Sequence, residues 1–142
     1  MKIYPDPSII ISAFVQEPSS GLAADFLRQV PVGEVMTSWW TLTEITSALG
    51  VKVRVGSLEA MIKPMLIASI RTELQRSSTI VVPIQQDFAT ASSLMQRTSL
   101  ALCGGDALHL AIASQQDSVV WTLDRRMAEA GQALGLGTRL LS

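Results

Sequence analysis

Gly104-Gly105-Asp106-Ala107-Leu108-His109-Leu110-Ala111-Ile112-Ala113 is the stretch around which the rest of the chain is read. Two glycines break the chain, an acid follows, and an apolar helix begins. A carboxylate in a first helical turn meets free backbone N–H groups and the positive end of the helix dipole. That alone explains Asp106 as a helix-start acid. The chain repeats the arrangement, however. Asp6, Glu44 and Asp124 each stand at the end of an apolar run or in the first turn of a helix. Four acids placed this way point to one shared site.

Downstream of that stretch, Ser118-Val119-Val120-Trp121-Thr122-Leu123 reads as a strand. Asp124-Arg125-Arg126 then opens a helix to about Leu134, Gly135 and Gly137 end it, and Arg139-Leu140-Leu141 is a last short strand. Upstream, Phe88, Ala91 and Met95 give a helix an apolar stripe, and Thr79 to Pro83 is a strand. Leu58, Met61, Ile62, Met65 and Leu66 recur at helical spacing, with Pro64 expected to kink or divide that helix. Thr41-Leu42-Thr43-Glu44 is a capping-box pattern opening a helix with Leu42, Ile45 and Leu49 on one face. Glu34 to Thr37 is a short strand, and Ser19 or Ser20 caps a helix to about Gln29. At the front, Lys2-Ile3-Tyr4 is a strand closed by Pro5. Pro7 suits the first position of a helix, which makes Asp6 its N-cap.

Short β-rich runs alternating with helices imply parallel strands with helices on both faces. The expected fold is α/β: one three-layer domain over residues 1–142, with a parallel sheet of about four to five strands. Ligands of such sheets bind beyond the carboxyl ends of the strands. Asp6 and Asp124 fall at those ends, and Glu44 and Asp106 open helices that can start at the same edge.

Composition narrows the class. The chain has 142 residues, 48% hydrophobic and 16% charged, with a formal net charge of −1. So apolar a composition implies a large core plus an apolar surface that wants a partner. No basic run marks it as nucleic-acid binding. Cys103 is the single cysteine, so neither an internal disulfide nor a cysteine-built zinc site is possible. Asp6 interrupts the N-terminus before Ile9-Ile10-Ile11, which argues against a leader peptide. No apolar run is long enough to span a bilayer. The expectation is a cytoplasmic globular domain.

Each acid taken alone has a capping explanation. Taken together they need a cation, because two bare carboxylates about 4 Å apart repel by roughly 4 kcal/mol at an effective dielectric of about 20. Oxygen-only ligands favour hard ions, so Mg²⁺ or Mn²⁺ is the expected guest. Such an ion orients and acidifies a bound water and stabilises a leaving oxygen, which suits phosphodiester hydrolysis without a side-chain nucleophile.

Four segments also carry a family resemblance. They are Asp6 with Ser8, the run Thr-Glu-Ile-Thr-Ser-Ala-Leu around Glu44, Gly-Asp-Ala-Leu-His-Leu-Ala-Ile-Ala around Asp106, and Thr122-Leu123-Asp124. Together they resemble the PIN-domain nucleases, and most closely the VapC toxins of bacterial toxin–antitoxin pairs. The resemblance covers essentially the whole chain, and its most specific piece surrounds Asp106. It implies a Mg²⁺- or Mn²⁺-dependent ribonuclease that often cuts structured RNA, usually forms a homodimer and is silenced by an antitoxin. Asp6, Glu44, Asp106 and Asp124 would be its catalytic metal ligands, with Ser8 and Thr122 supporting them. The chain departs from the family at Pro5 and Pro7, which flank Asp6 where an apolar residue and a Thr or Ser are usual. The segment after Glu44 keeps Lys52 and Arg54 without a dense basic cluster.

Other residues are read more plainly. His109 lies one turn past Asp106 and is expected to be a packed, hydrogen-bonded histidine, the other reading being a contact to Asp106 or RNA. Thr122 either supports the site or is only a strand residue. Trp39-Trp40 reads as core plus interface, Cys103 as a small buried hydrophobe, and Asp25, Glu59, Glu73, Asp87, Asp117 and Glu129 as solvated acids. Two rival functions remain. A phosphoryl-transfer enzyme needs an acid two residues after Asp6 and a late lysine, and neither is present. A PIN-like module that only pairs with a protein partner is the other alternative.

Overall fold

The strands of this chain all run parallel. The structure, a computed structural model, describes residues 1–142. In chain order the elements are β1 (Ile3–Pro5), α1 (Pro7–Phe14), α2 (Ser20–Gln29), β2 (Met36–Ser38), α3 (Trp39–Arg54) and α4 (Lys63–Ser77). They continue with β3 (Thr79–Val81), α5 (Gln85–Arg97), α6 (Gly104–Gln115), β4 (Val119–Thr122), α7 (Arg125–Ala133) and β5 (Thr138–Leu140). β1, β4 and β5 form one three-stranded sheet in the order β1-β4-β5, and β2 pairs with β3. A single parallel bridge, Ile3 to Val35, joins the two, so the strands lie in the order β3-β2-β1-β4-β5. The order turns outward in both directions from β1. The crevice between β1 and β4 is therefore the switch point, where open parallel sheets place their ligands.

Helices cover both faces. Tyr4, Met36, Val81 and Val120 pack with α5, α6 and Met127 of α7. Ile80 packs with Ile10 and Ile11 of α1, Leu42, Ile45 and Leu49 of α3, and Ile70 and Leu74 of α4. This is the three-layer α/β architecture expected from the sequence. In α6, Ala107 through Ala113 are all buried. A helix apolar on every side belongs inside a protein, and here α5, α3 and the sheet surround it.

Several local expectations are corrected. The capping box at Thr41 does not form. α3 starts at Trp39 directly after β2, Ser38 is its N-cap, and Ser38 Oγ accepts from Thr41 N at 3.4 Å. Thr41 instead turns its hydroxyl inward to Tyr4, and Glu44 lies in the second turn. Pro64 neither kinks nor divides a helix. It sits in the first turn of α4, where its missing N–H costs nothing, and residues 58–62 precede the helix. The stripe proposed for α5 is also misplaced: Phe88 and Met95 are exposed, while Ala91 and Leu94 are buried. Asp87 is buried rather than solvated, since its carboxylate accepts from Ile84 N at 2.8 Å at the start of α5. Ser19 is the N-cap of α2 without a side-chain cap bond, and Ser20 Oγ donates to Val15 O at 2.6 Å. Gly104 and Gly105 do not break the chain but form the first two positions of α6, and Cys103 before them is exposed.

Candidate active site

Asp6 is the most constrained acid of the four. It follows Pro5 at the end of β1, and its backbone N donates to Trp121 O of β4 at 2.9 Å. Pro7 takes the first position of α1 and Asp6 caps that helix, with Oδ1 accepting from Ser8 N at 3.1 Å and Ile9 N at 3.4 Å. Two hydroxyls then tie the carboxylate to the end of β4. Ser8 Oγ donates to Asp6 Oδ1 and accepts from Leu123 N at 3.0 Å. Thr122 Oγ1 donates to Asp6 Oδ2 at 2.7 Å and accepts from Asp124 N at 2.9 Å. Each hydroxyl passes a backbone N–H of the β4–α7 turn on to one oxygen of Asp6. Ser8 and Thr122 both therefore support Asp6, and Pro7 preserves the cap rather than disturbing it.

The other acids come from three further places. Asp124 is the N-cap of α7, accepts from Arg126 N at 2.9 Å and is exposed. Asp106 sits in the first turn of α6, half-buried. Glu44 projects from the second turn of α3, and its Oε2 meets His109 Nε2 at 2.6 Å. His109 is thus a fully buried, hydrogen-bonded histidine, but its acid partner is Glu44 and not Asp106.

All four acids line one open cavity of about 350 Å³, together with Pro7, Ser8, Ile11, Ser47 and Ala48. The cavity lies beyond the carboxyl ends of β1 and β4. Burial pushes the Asp6 carboxyl above its ordinary 3.8, against the opposing pull of the Ser8 and Thr122 hydrogen bonds. Burial also raises Asp106, and the nearby carboxylates of Glu44 and Asp124 push it the same way. Both groups hold a proton more tightly than in water, and a bound cation would satisfy the same demand.

No three acidic, histidine or cysteine groups close on a single point as a ready-made metal cage. The donors are nevertheless all oxygens, at least two carry raised proton affinity, and they share one cavity. That set fits a hard dication that keeps several of its own waters between itself and the protein, as Mg²⁺ does.

Two features of the site were not read from the sequence. Tyr4 is fully buried and its hydroxyl lies 2.8 Å from His109 Nδ1, 2.7 Å from Ser38 Oγ and 3.1 Å from Thr41 Oγ1. Burial pushes its phenol up to about 12, so it stays a neutral hydroxyl. Gly105 is the second feature. A Cβ there would collide with Glu44 Oε1, and Trp40 Nε1 donates to Gly105 O at 3.3 Å. Trp40 is accordingly packed inside while Trp39 is partly exposed. The glycine pair was the available signal, since glycine permits close backbone approach.

Comparison with known proteins agrees with this geometry. The PIN domain family profile matches residues 3–133, and the chain belongs to that family. No curated protein matches the sequence. Among solved structures, Mycobacterium tuberculosis VapC20, described as a sarcin–ricin loop cleaving toxin, superposes with a TM-score of 0.72 at 16% identity, over 92% of this chain and 95% of its own. FitAB bound to a DNA fragment gives 0.75 at 15% identity, over 97% and 94%. VapBC2 from Rickettsia felis, bound to a fragment of promoter DNA, gives 0.69 at 14% identity, over 100% of both chains. At these identities the likeness is one of fold.

Proposed function

We propose that this protein is a divalent-metal-dependent endoribonuclease, with Mg²⁺ or Mn²⁺ as the ion, acting in the cytoplasm as the toxin of a toxin–antitoxin pair. The observation that carries the reading is the convergence of Asp6, Glu44, Asp106 and Asp124 on one cavity at the switch point of the sheet. These acids arise from four separate elements, and capping gives no reason for them to share a cavity. Membership of the PIN domain family supports the same reading. VapC20 is described as a cleaving toxin, and FitAB and VapBC2 as assemblies on DNA, which supports the toxin–antitoxin setting.

The residues divide the work. Asp6, held on both oxygens by Ser8 and Thr122, is the fixed anchor for the ion. Glu44 and Asp106 flank it from α3 and α6, and the exposed Asp124 closes the solvent side. A bound dication would supply an activated water and neutralise charge on the phosphate. No covalent step on a side chain is needed for such a hydrolysis. The chain's part is to hold negative oxygens still and leave room for an RNA phosphodiester.

Partners follow from the surface. Ile84 just before α5 and Phe88 and Met95 within it expose one apolar stripe, and Met61 and Ile62 just before α4 and Met65 within it expose another. One face for a second copy and one for an antitoxin account for both. No helix is long and apolar enough to cross a membrane.

A cleavage assay on structured RNA with purified protein, Mg²⁺ and Mn²⁺ tests the reading. Activity that needs the metal and is lost in Asp6→Asn supports it. A parent that leaves RNA intact with either ion, yet still captures an antitoxin, would establish the non-catalytic pairing module instead.

A further inference from the structure

His109 uses both ring nitrogens and has no exposed surface. Its Nε2 lies 2.6 Å from Glu44 Oε2, and its Nδ1 lies 2.8 Å from the Tyr4 hydroxyl. The Tyr4 oxygen in turn lies 2.7 Å from Ser38 Oγ and 3.1 Å from Thr41 Oγ1. The five side chains come from β1, β2, α3 and α6, so the chain of bonds crosses the inside of the domain and emerges only at Glu44.

The chemistry of the donors gives this chain a direction. An ionised carboxylate only accepts, so His109 Nε2 carries the hydrogen toward Glu44. In a neutral imidazole the other nitrogen is then an acceptor, and Tyr4 donates its O–H to Nδ1. The Tyr4 oxygen keeps lone pairs that accept from Ser38 or Thr41. With the ring neutral, this direction leaves no buried polar atom of the network without a partner. Gly105 leaves room for the other oxygen, because a Cβ at that residue would collide with Oε1 of Glu44. Oε1 takes no hydrogen bond from the protein.

We propose that His109, aligned by Tyr4, is the positioning residue for Glu44: its Nε2–H holds Oε2 so that Oε1 is the single oxygen offered to a cation in the carboxylate cavity. The inference rests on the carboxylate-site reading above and adds the device that orients one of its acids. It also gives α6 two tasks. The first turn carries Asp106, and the next turn carries the group that orients Glu44 from the neighbouring helix. Removing an outer partner of a metal ligand typically costs about 10–100-fold in metal affinity.

His109 is the only histidine, so its ring can be observed without assignment ambiguity. Long-range ¹H–¹⁵N correlation on full-length, metal-free protein should show the Nε2–H tautomer. Free Mn²⁺, followed by electron paramagnetic resonance, then measures affinity in folded variants. His109→Leu should weaken Mn²⁺ binding roughly 10–100-fold. His109→Gln, whose amide N–H reaches the same carboxylate, should recover part of that loss. Tyr4→Phe removes one buried hydroxyl and should weaken binding less than His109→Leu, and it serves in its place should the leucine variant not fold.

An Nδ1–H tautomer in the parent overturns the proposal. So does parent-like Mn²⁺ affinity in folded His109→Leu, or in Tyr4→Phe where that stands in, while Asp6→Asn abolishes binding. That pattern leaves the carboxylate site intact and removes only the positioning role. A parent that binds no Mn²⁺ overturns both readings together.

Discussion

Gly105 and Gly131 make the same kind of close approach with different meanings. At Gly131 in α7, an added Cβ would come within 2.8 Å of Thr138 Cβ and 2.9 Å of Thr138 Cγ2 in β5. Thr138 is a buried strand residue whose Cβ cannot move without its backbone. At Gly105 the obstacle is the carboxylate of Glu44, the far end of a flexible side chain. The first contact closes a helix onto a strand and belongs to folding. The second sets where a charged oxygen stands and belongs to the site. A sterically obligatory glycine is therefore no guide to function until its neighbour is known.

The largest effect should come from the acids themselves. Asp6→Asn and Asp106→Asn keep shape and remove one negative ligand each. RNA cleavage with Mg²⁺ should fall by at least about 100-fold, the size of several kcal/mol of lost metal-supplied stabilisation. Thermal melts without metal should show both variants folded. Cleavage at the parent rate in both would reduce the four acids to caps, since Asn caps nearly as well as Asp.

Next in size, Gly105→Ala should shift Glu44 and lower cleavage by about 10-fold, the smaller end of what misplacing a metal ligand costs. Its melting temperature should stay within a few degrees of the parent, because the displaced group is the far end of a side chain rather than backbone. Gly131→Ala should reverse the pattern. Overpacking against Thr138 costs about 1–3 kcal/mol, so Tm should drop by several degrees while cleavage per folded molecule is unchanged. If both glycine variants lose stability and activity in proportion, the distinction between the two contacts fails.

The smallest expected effect is a pH dependence. Burial holds Asp6 and Asp106 above 3.8, so the folded chain keeps protons that the unfolded chain releases. The stability gained this way is full below about pH 3.8 and is lost as pH rises through the raised folded values. Asp106→Asn has no such proton to lose. In metal-free protein its stability relative to the parent should therefore grow as pH rises from about 4 toward neutrality, then level off. Denaturant melts across that range check the sign, and a difference that shrinks with pH would contradict the burial argument.

Much of the candidate site was legible because local rules mark the chain positions that line the cavity. Asp6 after Pro5 and before Pro7, and Asp124 before Arg125, mark strand ends and helix starts that a single chain pass can find. Glu44 was reached for a mistaken local reason. Its capping box does not exist, because β2 runs straight into α3 and Ser38 takes the cap. It lines the cavity through its place in the second turn of α3, which capping rules do not address. The exposed stripe of α5 was misread for a related reason: periodicity finds an apolar face without saying which neighbour covers it.

The sequence by itself determined the alternation of strands and helices, the parallel sheet it requires, and the acids at the carboxyl edge, because spacing and caps act over a few residues. Only the tertiary structure decided that His109 serves Glu44 rather than Asp106, that Tyr4 completes its bonding, and that Gly105 is a cradle rather than a break. Those contacts join residues 65 to 105 positions apart, across β1, α3 and α6. Hydrogen bonds and steric contacts act over a few ångströms in space, and no local pattern in a chain records which distant elements will meet.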